Sequence, residues 1–514
     1  MGESPRESRE PGDRRADRVM SHVAVDLGAG SGRVVRAAFG EEQLEFEEVA
    51  RFPVEPRPHA GALRWPIGEI AAAITAALAR VAHADPPVAS VGVDGWGCDY
   101  GLYDGAGQLI EDPICYRDAR TDGALARAAA VMPLSEIHRA TGIQLLPFNT
   151  LFQLHAHVAP DRWPRHVARL LPLPDVFHRH LCGSDSGERT HASTMQLLKA
   201  DGSDWDRELV RRFGIPASIL PRLVDPGTRL GPLRAEIARA TGLDGVEVIA
   251  PATHDTASAV AATPLAEGVA FISSGTWSLV GVERRTPLVS DATHAGNFTN
   301  EAGVGGTARL LKNVCGMWLL EGCRKRWRAE GCDLEWEALE REVERASAWA
   351  GVVDPDDPAF FRPDDMVAAV HAWLRSTDQP APAKPVALAR LLLESLALRC
   401  ADVLQTLVAL TGAPLHAIRV IGGGSRNDFL NQVLADVSGL PVMAGPVEAT
   451  ALGNLTVQAI ACGRFRDLAE ARAYIAQRVP SRHYQPRNVA AAPLLLARFR
   501  RAVARRAELL RAGA

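Results

Sequence analysis

The residues most able to do chemistry in this sequence lie where predicted strands end. Asp255 follows His254 at the junction between a predicted strand and a predicted helix. A carboxylate at such a junction faces a cleft, where it can accept the proton of an alcohol. The other common role of aspartate here is to cap the helix N-terminus. The position predicts a general base for transfer to a hydroxyl group, with His254 shaping the pocket beside it.

Three turns rich in glycine and hydroxyl side chains also follow predicted strands, at residues 28–33, 273–276 and 422–425. A single turn of this kind is weak evidence, because any tight turn favours glycine. Three in one chain indicate a shared purpose, which is to bring backbone N–H groups close to phosphates and a nucleoside. The first turn joins two strands and opens no helix, which argues against a Rossmann fingerprint or a Walker A loop.

Asp26 stands directly before the first of these turns. Its side chain could simply make a local turn hydrogen bond. At the mouth of a phosphate-binding turn, a carboxylate can instead hold Mg²⁺ through water, because Mg²⁺ keeps part of its hydration shell. We expect Asp26 to have this metal-linked role.

A second group of residues has the composition of a sugar site. Residues 94–99 (DGWGCD) place glycines, an aromatic ring and two acids at the end of a predicted strand. Such sites combine an apolar face with a few polar groups, although Trp96 would equally suit the core. A polar cluster further along interrupts an apolar stretch, and we expect some of its members to face the cleft: Asn297, Asn300, Glu301 and Asn313.

Hydrophobic periodicity predicts the elements that would position these residues. Strands are predicted at residues 22–27, 34–39, 44–52, 91–93, 247–252, 269–272, 277–282 and 417–421. Helices are predicted at residues 66–84, 256–262, 388–410, 428–437 and 497–514. Residues 100–110 form a hairpin around Asp104 and Gly105, and residues 123–245 mix helices with loops.

The opening pattern of strand, small-residue turn and strand recurs about 240 residues later, which suggests two domains built on one plan. Short hairpins are common, so the pattern by itself does not require a duplication. Residues 351–385 are rich in proline and aspartate, and they are predicted to form an insertion or flexible loop beside the second domain.

Composition excludes several other classes of protein. The 514 residues are 47% hydrophobic and 23% charged, as in ordinary globular chains of two or three domains. The net charge of −4 comes with no basic stripe, so no nucleic-acid partner is expected. No apolar run approaches the ~18 residues of a membrane span. Eight scattered cysteines indicate idle thiols in a reducing cytoplasm.

The first twenty residues are charged and have no apolar segment, so they fail as a signal peptide. We expect them to form a disordered tail. Met20 could be the true start of the protein, because the first predicted strand follows it directly.

From about residue 22 to about residue 480, the chain resembles the FGGY carbohydrate kinases. The matching segments are residues 25–33, 93–97, 116–120, 141–150, 254–259, 273–278, 311–313, 422–424 and 444–449. The resemblance implies an α/β fold of two actin-like, ribonuclease-H-like domains, with ATP and sugar in the cleft between them. It places the N-terminal domain at residues 21–264, the C-terminal domain at 265–482 and a helical tail at 483–514.

Within the family, the chain resembles most closely the members that phosphorylate L-rhamnulose at its 1-hydroxyl, in L-rhamnose catabolism. The resemblance implies ATP as co-substrate with Mg²⁺, and Asp255 as proton acceptor. It assigns to ATP binding Ala29, Gly30, Ser31, Gly32, Arg33, Thr276 and Gly423. It assigns to sugar binding Gly97, His254, Asp255, Thr256 and Asn313.

Two residues depart from the family pattern. Gly30 stands where a second serine is usual, and Glu321 stands where a glutamine that helps to hold ATP is expected. Another acceptor, such as L-fuculose, xylulose or a linear signalling sugar, stays open, as does a non-catalytic regulator of the same fold. A monomer and a dimer are both compatible with the sequence.

Overall fold

Two mixed β-sheets, each flanked by helices, form the two halves of the protein. The computed structural model describes residues 19–157 and 166–512. The predicted disordered tail, residues 1–20, lies outside the described residues except for its last two. We call residues 19–261 the first half and residues 269–512 the second half.

The first half contains the following strands and helices. Its strands are β1 (Ser21–Leu27), β2 (Ser31–Phe39), β3 (Leu44–Pro53), β4 (Arg57–His59), β5 (Ala62–Arg64), β6 (Val88–Gly95), β7 (Tyr100–Asp104), β8 (Val167–Pro172), β9 (Ser186–Glu188), β10 (Arg222–Val224), β11 (Arg229–Pro232) and β12 (Glu247–Ile249). Its helices are α1 (Ile67–Ala79), α2 (Ala124–Val131), α3 (Leu134–Thr141), α4 (Thr150–His157), α5 (Leu173–Cys182), α6 (Arg189–Thr194), α7 (Arg207–Arg212), α8 (Ala235–Thr241) and α9 (Asp255–Ala261).

The second half follows in the same manner. Its strands are β13 (Val269–Ser274), β14 (Trp277–Arg284), β15 (Thr299–Ala302), β16 (Ala308–Cys315), β17 (Ala417–Ile421), β18 (Val442–Ala444) and β19 (Arg482–Tyr484). Its helices are α10 (Asp291–Ala295), α11 (Trp318–Ala329), α12 (Trp336–Arg345), α13 (Met366–Ser376), α14 (Pro385–Thr411), α15 (Asp428–Ser438), α16 (Ala449–Ala461), α17 (Leu468–Arg478) and α18 (Ala492–Ala512).

The two large sheets repeat one topology. The first has the strand order β11-β12-β6-β1-β2-β3, and the second has the order β15-β16-β14-β13-β17-β18-β19. In each sheet, three consecutive strands are antiparallel: β1, β2 and β3 in the first, and β13, β14 and β16 in the second. Two further strands then run parallel to β1 or β13 on its other side: β6 and β12 in the first sheet, and β17 and β18 in the second. The predicted duplication is therefore confirmed at the level of strand order and direction.

Local sequence explains the principal elements. Strand β1 is buried along its whole length, as expected for a central strand with helices on both faces. The long helix α14 begins with Pro385 in its first turn and ends before Gly412, which has a positive φ of 67°. Proline suits a helix start and glycine suits the left-handed residue that ends one. Most residues between these two signals are buried against the second sheet.

Helix α16 of the second half packs directly on the first half. A Cβ at Gly453 would lie 1.7 Å from the carbonyl oxygen of Ser258, so only glycine permits α16 and α9 to approach this closely. The next turn of α16 bonds to the first sheet: Asn454 donates to Gly92 O at 3.2 Å, and Gln458 donates to Val23 O at 2.9 Å. The sheet that carries the predicted catalytic groups therefore rests on a helix of the other half.

The structure corrects the prediction of helices and loops for residues 123–245. Four short strands, β8 to β11, lie in this region in addition to the helices. Strand β8 pairs with β7. The predicted hairpin turn after β7 is also present, because Ile110 N donates to Leu102 O at 2.9 Å. These strands have three to six residues each, which is too short to show a reliable alternation.

The prediction of a loop at residues 351–385 is wrong. The segment contains helix α13, and its side chains Val352, Phe360 and Trp373 are buried in the core of the second half. Two of its aspartates, Asp357 and Asp365, are helix caps: the Asp365 carboxylate accepts a hydrogen bond from Ala368 N at 3.0 Å. Proline and aspartate are frequent at helix starts as well as in loops, and that ambiguity explains the error.

All eight cysteines lie in the described part of the chain and none is paired, as predicted. Within residues 19–157 and 166–512, no helix is both long and apolar enough to cross a membrane. The predicted C-terminal helix begins at Ala492, and its Leu496 and Phe499 are buried in the second core.

Candidate active site

A cavity of about 1100 Å³ lies between the two halves, and the three predicted turns all line it. Gly28 and Ala29 come from the first turn, which links β1 to β2. The turn at residues 273–276 links β13 to β14, and the turn at residues 422–424 follows the neighbouring strand β17. The topological repeat thus brings turns that are far apart in sequence to one space.

The first turn is closed by a hydrogen bond from Gly28 N to Ser31 O at 3.0 Å. Among the described residues, Gly28, Ala29, Ser31 and Arg33 line the cavity, and Gly30 and Gly32 do not. The carbonyl of Gly30 accepts a hydrogen bond from Val54 N at 3.2 Å, which ties the turn to the end of β3. Five residues of this turn are assigned to ATP by the family resemblance, and three of them line the cavity.

The second and third turns pack on each other. A Cβ at Gly424 would lie 2.1 Å from Ser274 Oγ, so glycine is required for this contact. Thr276 and Gly423, both predicted to bind ATP, line the same wall of the cavity. The contact explains the glycine at position 424, and the positive φ of 80° explains the one at position 422.

Three aspartates gather at neighbouring strand ends of the first sheet. The register of β1 and β6 sets Asp26 beside Asp94, and a bridge between Gly95 and His254 brings Asp255 to the same edge. Asp94 is fully buried and accepts a hydrogen bond from Asn454, and its Oδ1 has no hydrogen-bond partner within residues 19–157 and 166–512. Burial, and then the charge of Asp26, raises the pKa of Asp94 well above its ordinary value.

The predicted base, Asp255, keeps about a third of its side chain exposed toward the cavity (34%). Its Oδ1 accepts hydrogen bonds from the backbone and the hydroxyl of Thr256, the latter at 3.0 Å. Burial, and then the negative charge of Asp26, raises the pKa of Asp255 to about 7. A carboxyl with this pKa can both take and release a proton near neutral pH.

Arg33 links the first turn to the opposite wall. Its guanidinium pairs with Asp26 in the first half and with Glu448 at the start of α16 in the second. Arg33 therefore neutralises part of the acidic cluster. It also joins the two halves at the end of the cavity where the turns meet.

His254 is buried and carries no charge. Its Nδ1 lies 3.1 Å from Arg309 Nη2, and its Nε2 lies 3.4 Å from Asp255 Oδ1. Burial lowers the pKa of His254 well below its ordinary value, and the charges of Arg309 and His191 add to this shift. The imidazole is therefore neutral next to the predicted base.

The predicted sugar residues converge at this end of the cavity. Gly97, Thr256 and Asn313 line it together with His254 and Asp255. Asn313 lies on β16 of the second half, and its backbone N–H and side-chain amide donate to Gln144 Oε1 of the first half at 2.8 and 3.1 Å. A side-chain network between the halves thus builds this wall.

The polar cluster predicted near the cleft divides into two groups. Glu301 and Asn313 line the cavity. Asn297 and Asn300 hold backbone, since their side-chain oxygens accept hydrogen bonds from Leu145 N at 2.8 Å and Leu288 N at 2.7 Å. Trp96 lines the cavity, is 6% exposed, and donates its indole hydrogen to Asp99 at 2.9 Å.

Sequence reasoning missed several residues of the site. Gln144 and Glu448 lie within segments that carried the family resemblance, but no role was assigned to them. Arg309 received no attention, although a charged residue in the apolar strand β16 is a signal of a buried polar contact. Thr194, which lines the sugar end, offered no comparable signal.

Other lining residues of the cavity are more exposed to solvent. They include Glu335, Trp336, Glu337 and Glu340 around the start of α12. Glu321, the departure from the family pattern, also lines the cavity, is half exposed, and lies 3.4 Å from Arg324. These side chains are exposed or half exposed, whereas the Asp255 end is built from hydrogen-bond networks of buried side chains.

Comparisons with known proteins agree on one family. Residues 22–262 match the N-terminal domain of the FGGY family of carbohydrate kinases, and residues 270–462 match its C-terminal domain. A rhamnulokinase of Bacteroides thetaiotaomicron is 42% identical over 470 residues, covering 91% of this chain and 96% of the relative. A rhamnulokinase of Enterobacter sp. (strain 638) is 41% identical, covering 85% of this chain and 88% of the relative.

A solved structure with the same fold is the gluconate kinase from Lactobacillus acidophilus, with a TM-score of 0.77 at 15% identity. The match covers 96% of this chain and 98% of that one. The predicted α/β fold of two actin-like domains with a cleft between them is thereby confirmed.

Proposed function

Because this chain belongs to the FGGY family of carbohydrate kinases, we propose that it transfers the γ-phosphoryl group of ATP to the 1-hydroxyl of L-rhamnulose. ATP is the co-substrate that the family implies. Relatives near 40% identity over most of the chain are rhamnulokinases, which supports the choice of sugar. L-rhamnulose 1-phosphate and ADP would be the products.

The observation that carries this proposal is the arrangement of the cavity. Three backbone turns suited to phosphates line it together with a carboxylate whose pKa is raised to about 7. Phosphoryl transfer leaves little covalent work to the protein, so positioning and electrostatics supply most of the rate acceleration. A site with turns and a base on one cavity has the parts that this chemistry needs.

In the proposed step, the 1-hydroxyl oxygen of the sugar attacks the γ-phosphorus of ATP. The bond from that phosphorus to the β–γ bridging oxygen breaks, and ADP leaves. Asp255 accepts the hydroxyl proton, and Thr256 holds the Asp255 carboxylate through two hydrogen bonds. His254, which is neutral, lies beside the base and does not compete for the proton.

The acidic cluster fits the Mg²⁺ that we propose for this kinase. Asp26 and Asp94 lie side by side, one buried oxygen of Asp94 has no partner in the described part of the chain, and carboxyl oxygens are suitable ligands for a hard cation. Among the described residues, no three acidic, histidine or cysteine side chains converge closely enough to enclose an ion. We therefore assign Asp26 to Mg²⁺ through water. Bound there, the cation would neutralise charge on the phosphates.

The remaining assignments follow the same division of the cavity. We propose that the nucleotide contacts Ala29, Gly30, Ser31, Gly32, Arg33, Thr276 and Gly423, with Gly30 and Gly32 acting through the backbone of the turn. We propose that the sugar contacts Gly97, His254, Asp255, Thr256 and Asn313.

We also propose domain limits at residues 21–264 and 265–482, and a cytoplasmic location for the protein. Closure of the two domains would exclude water from the transferred phosphoryl group.

The test is a coupled assay of ADP release with Mg-ATP against a panel of acceptors. The panel contains L-rhamnulose, L-fuculose, L-ribulose and D-xylulose, with glycerol as a polyol control. We expect a clear preference for L-rhamnulose in kcat/KM. Preference for another ketose would retain the kinase and replace its substrate. Folded protein that binds ATP but releases no ADP with any sugar would contradict the proposal and favour a regulatory role.

A further inference from the structure

Arg309 is a fully buried arginine on β16 that reaches from the second half to the first. None of its surface is exposed, which is unusual for a permanently charged side chain. Its Nη2 lies 3.1 Å from His254 Nδ1, and it also donates to Ala302 O at 3.0 Å. Its Nη1 lies 3.2 Å from Glu301 Oε2. The fold therefore places a cation directly behind the histidine next to the predicted base.

The contact between Arg309 and His254 determines which imidazole nitrogen carries the hydrogen. A guanidinium group has donors and no acceptor, so His254 Nδ1 must accept the hydrogen bond. An accepting Nδ1 has no hydrogen of its own, and the single hydrogen of the neutral ring then resides on Nε2. That nitrogen lies 3.4 Å from Asp255 Oδ1. The ring nitrogen that carries the hydrogen is therefore the one that lies nearest the predicted base, and His254 lines the cavity.

A second group competes for the same nitrogen. Glu301 Oε2 lies 3.4 Å from His254 Nδ1, and a carboxylate there would accept a hydrogen from Nδ1 and favour the opposite tautomer. In that tautomer, the bare Nε2 would face the Asp255 carboxylate, so two acceptors would oppose each other. Arg309 resolves the competition, because it pairs with Glu301 and donates to Nδ1 at the same time.

We propose that Arg309 is a positioning residue, which holds His254 as the neutral tautomer with its hydrogen on Nε2 and so presents a fixed donor to the sugar and to Asp255. The role in sugar binding rests on the function proposed above, whereas the tautomer is a property of the ligand-free chain. The charged and titratable groups around His254 are Arg309 and Glu301 of the second half, and Asp255, His191 and Glu188 of the first.

The first experiment measures the tautomer by NMR of protein labelled with ¹⁵N-histidine, with the His254→Gln variant used to assign its signals. We expect the wild-type chain to show an unprotonated Nδ1 and a protonated Nε2. In Arg309→Met, Nδ1 no longer has to accept a hydrogen bond and can carry the hydrogen and donate to Glu301, so the ring should change to the opposite tautomer or become charged. In Glu301→Gln, Arg309 is retained and the wild-type tautomer should persist. An unchanged tautomer in Arg309→Met would overturn the proposal.

The second experiment measures sugar kinetics on the same variants. Loss of a buried hydrogen-bond partner costs roughly a factor of 5 to 150, and we expect Arg309→Met to raise KM for the sugar and lower kcat within that range. The matched control is Arg472→Met. Arg472 also crosses between the halves, pairs with Glu283, and holds Val260 O and Ala261 O at the other end of α9 without contacting His254. Arg472→Met should retain the wild-type tautomer, and equal effects of both variants on the tautomer would overturn the assignment.

Removal of Arg309 alone leaves the buried Glu301 without its cationic partner, which can prevent folding. The double variant Arg309→Met with Glu301→Gln removes both charges together. In it we expect a mixture of tautomers and a raised KM, and a pure Nε2–H form with unchanged KM would refute the proposal. Because the tautomer is measured without sugar, a change of tautomer in a protein that phosphorylates no sugar would support the positioning role and reject only the proposed function.

Discussion

The two ends of the cleft are built in different ways. At the Asp255 end, buried side chains of one half bond to the other: Gln144 to Asn313, and Arg309 to His254. At the opposite end, the cavity is lined by backbone turns and by half-exposed or exposed acidic side chains such as Glu321. The proposed sugar end is thus held by contacts that need both halves, while the proposed nucleotide end offers backbone groups of three turns.

This difference between the two ends predicts which substitutions should reduce activity most. A side chain in a buried network has partners that are left unsatisfied when it is removed, and that penalty is large. A half-exposed side chain on an open rim is screened by water and salt, and its removal has a small effect. We therefore expect variants to lose activity in order of their distance from the buried end.

The largest effect is expected for Asp255→Asn. An amide cannot accept the proton of the sugar hydroxyl, so kcat should fall by about 100-fold or more. ATP binding, measured by calorimetry, should change little, because the phosphate turns are untouched. A kcat near that of the wild type would remove Asp255 as the base and, with it, the functional distinction between the two ends.

The same variant, Asp255→Asn, tests whether the ionised carboxylate of Asp255 destabilises the fold. A carboxyl whose pKa is raised binds its proton more tightly in the folded state, so it contributes stability at low pH that is lost as pH rises through about 7. Asp255→Asn does not ionise, and its melting temperature at pH 8 should equal or exceed that of the wild type. A lower melting temperature would show that the loss of activity reflects damage to the fold.

The second largest effect is expected in the pH dependence of kcat/KM. Asp255 has a pKa of about 7 and must be ionised to accept a proton, so kcat/KM should be level above that pH and fall about tenfold per pH unit below it. The charge of Asp26 contributes to the raised pKa, and Asp26→Asn should move this acid limb to lower pH. A limb that stays in place in Asp26→Asn would show that the two carboxylates do not interact.

The two ends of the cleft also differ in how much of them could be predicted from the sequence. The strand repeat, the three turns and the junction at Asp255 were predictable, because they depend on local periodicity and on turn chemistry. The contact between Gln144 and Asn313 was not, since it joins residues 169 positions apart. The partner of Arg309 was not predictable either, because it is a histidine of the other half, although a charged residue in an apolar strand does signal a buried polar contact. Local rules therefore predicted the turns at the nucleotide end better than the network at the sugar end.

Gln144→Ala should give an intermediate effect. It leaves the backbone N–H of Asn313 and the Asn313 amide without their acceptor, and we expect KM for the sugar to rise about tenfold while KM for ATP stays constant. Gln405→Ala is a suitable control, because Gln405 is exposed, lies far along α14, and accepts a hydrogen bond from the exposed Arg500 at 2.8 Å. Equal increases in both KM values would indicate that the network supports the whole cleft and not the sugar end alone.

The smallest effect is expected at the open end, for Glu321→Gln. Glu321 lines the cavity from helix α11, and its negative charge would oppose that of ATP. Because the side chain is half exposed and lies 3.4 Å from Arg324, its charge is screened and partly paired. We expect KM for ATP to fall by about two- to threefold, and the gain should shrink at high salt. Glu330→Gln, at the end of the same helix, should leave KM for ATP unchanged. A tenfold gain at position 321 would mean that the nucleotide end is as sensitive to single side chains as the sugar end.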